Sequence, residues 1–206
     1  MDRENDMKTL KAAILTITAS LALGTAARAD DMKKAEYKAA EATVEADYRA
    51  NKAACESVSG NAKDICVAEA KGKQDVAKAE LVAQNKPTAK HSHAVAIAKS
   101  DAAYAIAIER CDDKAGNDKD VCVKEAKAAK VRAVAEAKTQ MTTWKAHTAA
   151  NAAGAKAAVE VSEAKRDAAS DERDADYAVA KEKCDGQAGQ AKDDCVEAAK
   201  ARFAQH

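Results

Sequence analysis

The chain has 206 residues, no formal net charge at pH 7, 33% charged residues and only 3% aromatic residues. Alanine alone supplies 56 residues, and from Asp30 onward only 27 of 177 residues are large and apolar. A domain of this size normally buries far more large apolar surface, so the composition argues against a compact enzyme core, a β-sandwich or any fold with a deep pocket. About half of the same stretch is Ala, Glu, Lys, Leu or Arg, which is typical of long helices and coiled coils.

The first 29 residues are predicted to be a signal peptide. Lys8 and Lys11 precede an uncharged apolar run from residue 12 to 24, and small residues in the Ala27-Arg28-Ala29 tripeptide predict cleavage between Ala29 and Asp30. The apolar run is short for a membrane span, which needs about 20 residues. Acidic residues precede Met7, so the start of translation is left open between Met1 and Met7.

Six cysteines fall into three pairs of identical spacing, Cys-x10-Cys, within a motif that occurs three times. In each copy a tyrosine stands seven residues before the first cysteine, a glycine stands between the cysteines, and a Lys-Asp pair precedes the second cysteine. The cysteine pairs are Cys55 with Cys66, Cys111 with Cys122, and Cys184 with Cys195. Internal repetition of this kind predicts one structural unit used three times.

Each motif copy is predicted to be an α-hairpin closed by a disulfide. Alanine-rich flanks favour helix, and the central glycine suits the left-handed position that ends a helix. Asn61 and Asn117 directly follow that glycine and are predicted to cap the next helix. Both cysteines then lie about 6–8 Å from the turn, one on each helix, within reach of each other if the helices pack closely.

The predicted fold is all-α, with three disulfide-stapled hairpins in an elongated or loosely bundled array. Pro87 separates the first two hairpins, and Gly72 in the second helix costs about 1 kcal/mol relative to alanine and suggests a bend. The expected units are the signal peptide 1–29, hairpin 1 at 30–86, hairpin 2 at 87–146, a linker or kink at 147–154, and hairpin 3 at 155–206.

Candidate sites are few. His91 and His93 are weak candidates for a metal site if the stretch after Pro87 is extended, although a solvated histidine pair is the more common outcome. Tyr48, Tyr104 and Tyr177 could form an aromatic stripe for a partner, or could simply cover the disulfides. Trp144 could pack between hairpins or contact a partner.

The remaining chemistry argues against catalysis. The stretch after residue 29 carries 30 basic and 31 acidic side chains in an even mixture, which predicts neither nucleic-acid binding nor stable membrane insertion after cleavage. No Ser/His/Asp set, Cys-x-x-Cys pair or glycine-rich phosphate loop occurs in the sequence. The sequence therefore predicts a non-enzyme without a cofactor.

The motif Glu109-Arg110-Cys111-Asp112-Asp113, followed by Gly116-Asn117 and by Lys119-Asp120-Val121-Cys122-Val123, resembles small exported bacterial proteins of unknown function with the same hairpins. The Ala/Lys/Glu composition is also similar to the long helical region of the Tol-system envelope protein. The first resemblance implies export, and neither resemblance implies a catalytic activity.

These observations predict a periplasmic or secreted helical repeat protein with a structural, scaffold or envelope-interaction role. Its expected partner is an unidentified envelope protein or a second copy of the chain. The alternative is a periplasmic stress-response binder that holds metal ions or unfolded clients through His91, His93 and the exposed tyrosines.

Overall fold

The structure is a computed structural model that describes residues 33–204, apart from the side chains of residues 150–157. The predicted signal peptide at 1–29, with its cleavage site between Ala29 and Asp30, lies outside the described residues.

Five α-helices and no strand make up the described part of the chain, which confirms the all-α prediction. They are α1 (Lys34–Ala54), α2 (Asn61–Asn85), α3 (Ala89–Cys111), α4 (Gly116–Cys184) and α5 (Gln190–Phe203), with a short 3-10 turn at Cys55–Ser57 after α1. Three disulfides close the turns between α1 and α2, between α3 and α4, and between α4 and α5.

The break at Pro87 is where the sequence places it, and α3 begins at Ala89, only two residues after the proline. The Thr88 side-chain oxygen accepts a hydrogen bond from the backbone N–H of His91 at 3.1 Å. This contact satisfies one of the free donors of the first turn, and so it lets the helix start immediately after the proline.

Within the described residues, each helix packs only on the helices that precede and follow it in the chain. The contacts join α1 to α2, α2 to α3, α3 to α4, and α4 to α5. Each chain reversal therefore places a helix antiparallel to its predecessor, and the hairpins form a ribbon in chain order rather than a bundle around one shared core.

The 69-residue α4 turns back on itself. Arg132 and Asp176 form an ion pair although 44 residues separate them, a distance of about 66 Å in a straight helix. Lys124 pairs with Glu182 at 3.5 Å and Lys138 pairs with Asp167 at 3.6 Å. We call residues 116–146 the proximal arm and residues 158–184 the distal arm, which lie side by side and antiparallel.

The ion pairs between the arms are centred on residues 152–154, inside the stretch 147–154 where the sequence predicts a linker or kink. The backbone of that stretch is helical, so it contains no extended linker. The second helix of the expected hairpin 2 and the first helix of hairpin 3 are therefore two arms of one helix.

Small side chains fill the seams between the helices. Among the residues that the structure describes, the buried apolar ones are mainly alanines together with the first cysteine of each pair, and Leu81 is the one larger aliphatic side chain. At Gly72, a Cβ atom would lie 2.7 Å from the Cβ of Ala102, which shows how closely α2 and α3 approach. Gly72 therefore allows α2 and α3 to pack closely. The sequence had suggested a bend at this position instead.

The antiparallel order places all three stapled turns at the same end of the ribbon. The loop around Pro87 and the reversal of α4 lie at the opposite end, where α1 begins, whereas the 14-residue α5 ends only about 21 Å from the stapled turns. Asn61, at the first stapled turn, donates a hydrogen bond to the backbone oxygen of Glu109, beside the second, at 2.7 Å. The repeated motifs thus form one continuous edge, which we call the stapled edge.

Candidate interaction surface

The three disulfides confirm the predicted pairing of all six cysteines. The Cα atoms of Cys55 and Cys66 lie 5.6 Å apart, and the other two pairs lie at 5.6 and 5.7 Å. These distances are usual for a disulfide, and they require the close helix approach that alanine permits. The first cysteine of each pair is at most 1% exposed, so each bond is anchored in the seam between its two helices.

An ion pair crosses each stapled turn at equivalent positions. Its acidic member follows the first cysteine directly, and its lysine stands three residues before the second cysteine. The distances are 2.6 Å for Glu56–Lys63, 3.0 Å for Asp112–Lys119 and 2.8 Å for Asp185–Lys192. The lysines belong to the repeated motif, but their partners were not predicted, although an acidic residue follows the first cysteine in all three copies.

Two of these pairs lower the pKa of their carboxylates. The hydrogen bond from Lys192 lowers the pKa of Asp185, and the same bond raises the pKa of Lys192. The hydrogen bond from Lys63 likewise lowers the pKa of Glu56. The carboxylates that cross the first and third turns therefore stay charged to lower pH than free carboxylates would.

The glycines and asparagines of the turns play different roles from those predicted. Gly60 and Gly189 stand directly before the next helix with φ near 60° and ψ near −150°, a region that is essentially restricted to glycine. Gly60 accepts the first backbone hydrogen bonds of α2, from Lys63 at 2.9 Å and Asp64 at 3.3 Å. Asn61 is the first residue of α2 rather than its cap, and its side chain is used to reach α3.

The contacts between neighbouring hairpins also repeat. Glu69 of α2 pairs with Arg110 of α3 at 3.0 Å, and Glu125 pairs with Lys183 across the arms of α4 at 2.6 Å. In both cases the glutamate lies three residues after a second cysteine, and the basic residue directly precedes the next first cysteine. The second hairpin is therefore docked on the first in the same register as the third is docked on the second.

A groove of about 630 Å³ lies between α3 and the two arms of α4. Its apolar lining comes from Tyr104, Val131, Val134 and two alanines, and its rim carries lysines and aspartates. The Lys130 ammonium lies 4.9 Å from the centre of the Tyr104 ring and 2.7 Å from the carboxylate of Asp101. The groove is open to solvent, and it provides an apolar surface with both signs of charge at its rim.

The structure does not bring the three motif tyrosines together. Tyr104 lies in this groove, Tyr48 lies in a smaller groove between α1 and α2 with Gln74, and Tyr177 lies near Lys200 of α5. All three rings are half-buried. Trp144, which is 48% exposed, lies near the opposite end of the ribbon against Ala89 and Met141.

The two histidines occupy the first turns of α3, so the extended segment required for the metal hypothesis is absent there. The His91 ring nitrogen Nδ1 contacts the backbone oxygen of Lys86 at 2.5 Å. Residues two apart on a helix do not face each other, so His91 and His93 cannot readily share one ion. No cluster of three or more potential metal-binding side chains occurs among residues 33–204 outside the side chains of 150–157.

No family model, curated protein or solved structure matches the chain. Three disulfides are typical of a protein that folds in an oxidising, extracytoplasmic compartment. In the described part of the chain, no helix combines the length and the apolar character that crossing a membrane requires.

Proposed function

We propose that the protein is a non-enzymatic helical scaffold that is exported to the periplasm or secreted, where it contacts an envelope component. The observation that carries the proposal is the recurrence of one stapled turn three times along a single edge, with the hairpins docked in the same register. Repeated units of this kind build extended surfaces rather than enclosed pockets.

The chemistry of the surfaces supports this proposal. All six cysteines are oxidised, so none supplies a thiolate nucleophile. Lys130 at the rim of the groove is engaged by Asp101, and Lys138 is engaged by Asp167. The groove supplies a mixed apolar and charged surface of the kind that contacts other macromolecules.

Export can be tested by comparing the native chain with the variant Leu15→Arg, which places a charge in the predicted apolar run of the signal peptide. We expect the native chain in the periplasmic or secreted fraction with six oxidised cysteines, and we expect the variant in the cytoplasm with free thiols. Val159→Arg, at an exposed position of α4, is the matched control and should be exported normally. Equal export of native and Leu15→Arg chains would contradict the proposal.

The scaffold role can be tested by placing a photo-crosslinking amino acid at Tyr104 in the groove, at Trp144, or at exposed Lys90 as a control. A reproducible envelope protein linked to Tyr104 or Trp144 but not to Lys90 would support the role. Capture of no partner at either position would count against it.

The alternative function is binding of unfolded clients, and the exposed apolar groove would be the site for it. If it operates, the native protein should suppress aggregation of a reduced model substrate, and Val134→Glu within the groove should reduce that effect. An unchanged aggregation time course with the native protein would exclude this alternative.

A further inference from the structure

The reversal within α4 differs from the four other reversals of the chain. Three of those are closed by a disulfide, and the fourth is interrupted by Pro87. The α4 reversal has no disulfide, because all six cysteines are paired elsewhere, and its backbone is helical. No covalent link therefore holds the distal arm against the proximal arm of the same chain.

The sequence of the reversal also favours an uninterrupted helix. Four of the eight residues from His147 to Gly154 are alanine and none is proline. Alanine has the highest helix propensity, and only Gly154 in this stretch is a strong helix breaker. A straight α4 of 69 residues would be about 100 Å long.

The contacts that join the two arms do not require that both arms belong to one chain. They are ion pairs between partly or largely exposed side chains. Exposed ion pairs contribute little stability individually, so breaking each of them costs little free energy. All of these contacts would form again, unchanged, between the proximal arm of one copy and the distal arm of another.

We propose that two copies of this chain exchange their third hairpins, which consist of the distal arm of α4 together with α5. In the exchanged dimer each α4 is straight, and each distal arm packs on the proximal arm of the other copy. Exchange of identical elements is a low-cost route to a dimer, because the interface has already formed within the monomer. The zero formal net charge of the chain leaves little long-range repulsion between copies.

The test mixes isotope-labelled and unlabelled protein, unfolds and refolds the mixture with the disulfides intact, and separates monomer from dimer by size. A zero-length carbodiimide reagent then links lysines to the carboxylates that they contact. In the dimer, peptides that link Lys124 to Glu182 and Lys183 to Glu125 should combine one labelled and one unlabelled partner in about half of the cases, the statistical expectation for equal mixing. In the monomer, both partners should carry the same label.

The pair Lys99–Glu80 between α2 and α3 is the internal control, because it lies outside the exchanged hairpin. Its linked peptides should carry a single label in monomer and dimer alike. The proposal is overturned if the native protein stays monomeric from micromolar to millimolar concentration. It is equally overturned if a dimer forms in which links between the arms carry only one label.

Two variants change the reversal in opposite directions. Gly154→Ala should favour the straight helix and increase the dimer fraction severalfold. Insertion of Gly-Asn-Gly-Ser after Ala153 should provide a flexible turn and abolish the dimer, whereas the same insertion after Lys86 should leave the dimer fraction unchanged. A dimer fraction that responds to neither change at residues 153–154 would also overturn the proposal.

Discussion

The carboxylate of Asp185 and the ammonium of Lys192 lie 2.8 Å apart across the third stapled turn, one residue beyond Cys184 and three residues before Cys195. The same relationship crosses the other two turns. Each turn is therefore closed twice, by a covalent bond inside the seam and by an ion pair on the surface.

This pair predicts a defined pH dependence. The pKa of Asp185 is lowered from its ordinary value of 3.8, chiefly by the hydrogen bond from Lys192, so its stabilising contribution is present above 3.8 and is lost as the pH falls through the shifted value. The pKa of Lys192 is raised from 10.5, so its contribution is present below 10.5 and is lost as the pH rises through its shifted value.

Replacement of the lysine tests this relationship. Lys192→Met should move the pKa of Asp185 upward, towards 3.8, in an NMR titration of the side-chain carboxyl carbon. Lys200→Met is the control, because Lys200 bonds Glu197 on its own helix. An Asp185 titration identical in the native protein and in Lys192→Met would show that the pair does not form in solution.

Gly72→Ala should destabilise the protein although alanine is the better helix former. The new Cβ would lie 2.7 Å from the Cβ of Ala102, and overpacking of this kind costs about 1–3 kcal/mol. The helix-propensity gain of up to about 1 kcal/mol offsets only part of this cost. Urea denaturation should show a lower midpoint for Gly72→Ala and partial recovery in the double variant with Ala102→Gly. A variant more stable than the native protein would mean that α2 and α3 lie farther apart.

Loss of the third disulfide should release α5 selectively. Helix α5 has 14 residues and packs only on α4 within the described part of the chain, and isolated helices of this length are marginal in water. Replacement of Cys184 and Cys195 by alanine removes about 3 kcal/mol of loop-closure stabilisation. Amide hydrogen exchange should then show α5 unprotected and α3 unchanged. Removal of Cys55 and Cys66 is the control, and it should leave the protection of α5 intact.

Ser100→Ala should stabilise the protein by about 1 kcal/mol, because a buried hydroxyl without a partner carries an uncompensated desolvation cost. Ser100 is 6% exposed, and its hydroxyl oxygen has no hydrogen-bond partner among the described residues. Thermal unfolding should show a higher midpoint for this variant, whereas Ser92→Ala at an exposed position of the same helix should show little change. A lower midpoint for Ser100→Ala would indicate that a water molecule satisfies the hydroxyl.

The repeated motif made the local structure predictable, because cysteine spacing, turn glycines and alanine-rich flanks act over about a dozen residues. The docking of one hairpin on the next was not predictable in this way. Alanine seams offer no large side chain that would specify register, and so register depends on particular contacts such as Glu69–Arg110 and Asn61 with the Glu109 oxygen. The reversal of α4 was visible only as a weak helix break, and the close approach at Gly72 depends on a residue in another helix.

Because of the antiparallel order of the helices, the two ends of the ribbon differ. The described chain begins at Lys33, beside the start of α1 and at the end opposite the three stapled turns, whereas α5 ends at Phe203, only about 21 Å from those turns. Anything fused or anchored ahead of α1 would therefore hold the ribbon from one side and leave the stapled edge pointing away. A tag or surface attachment there should leave that edge fully accessible, whereas attachment through a lysine of the turns should block it.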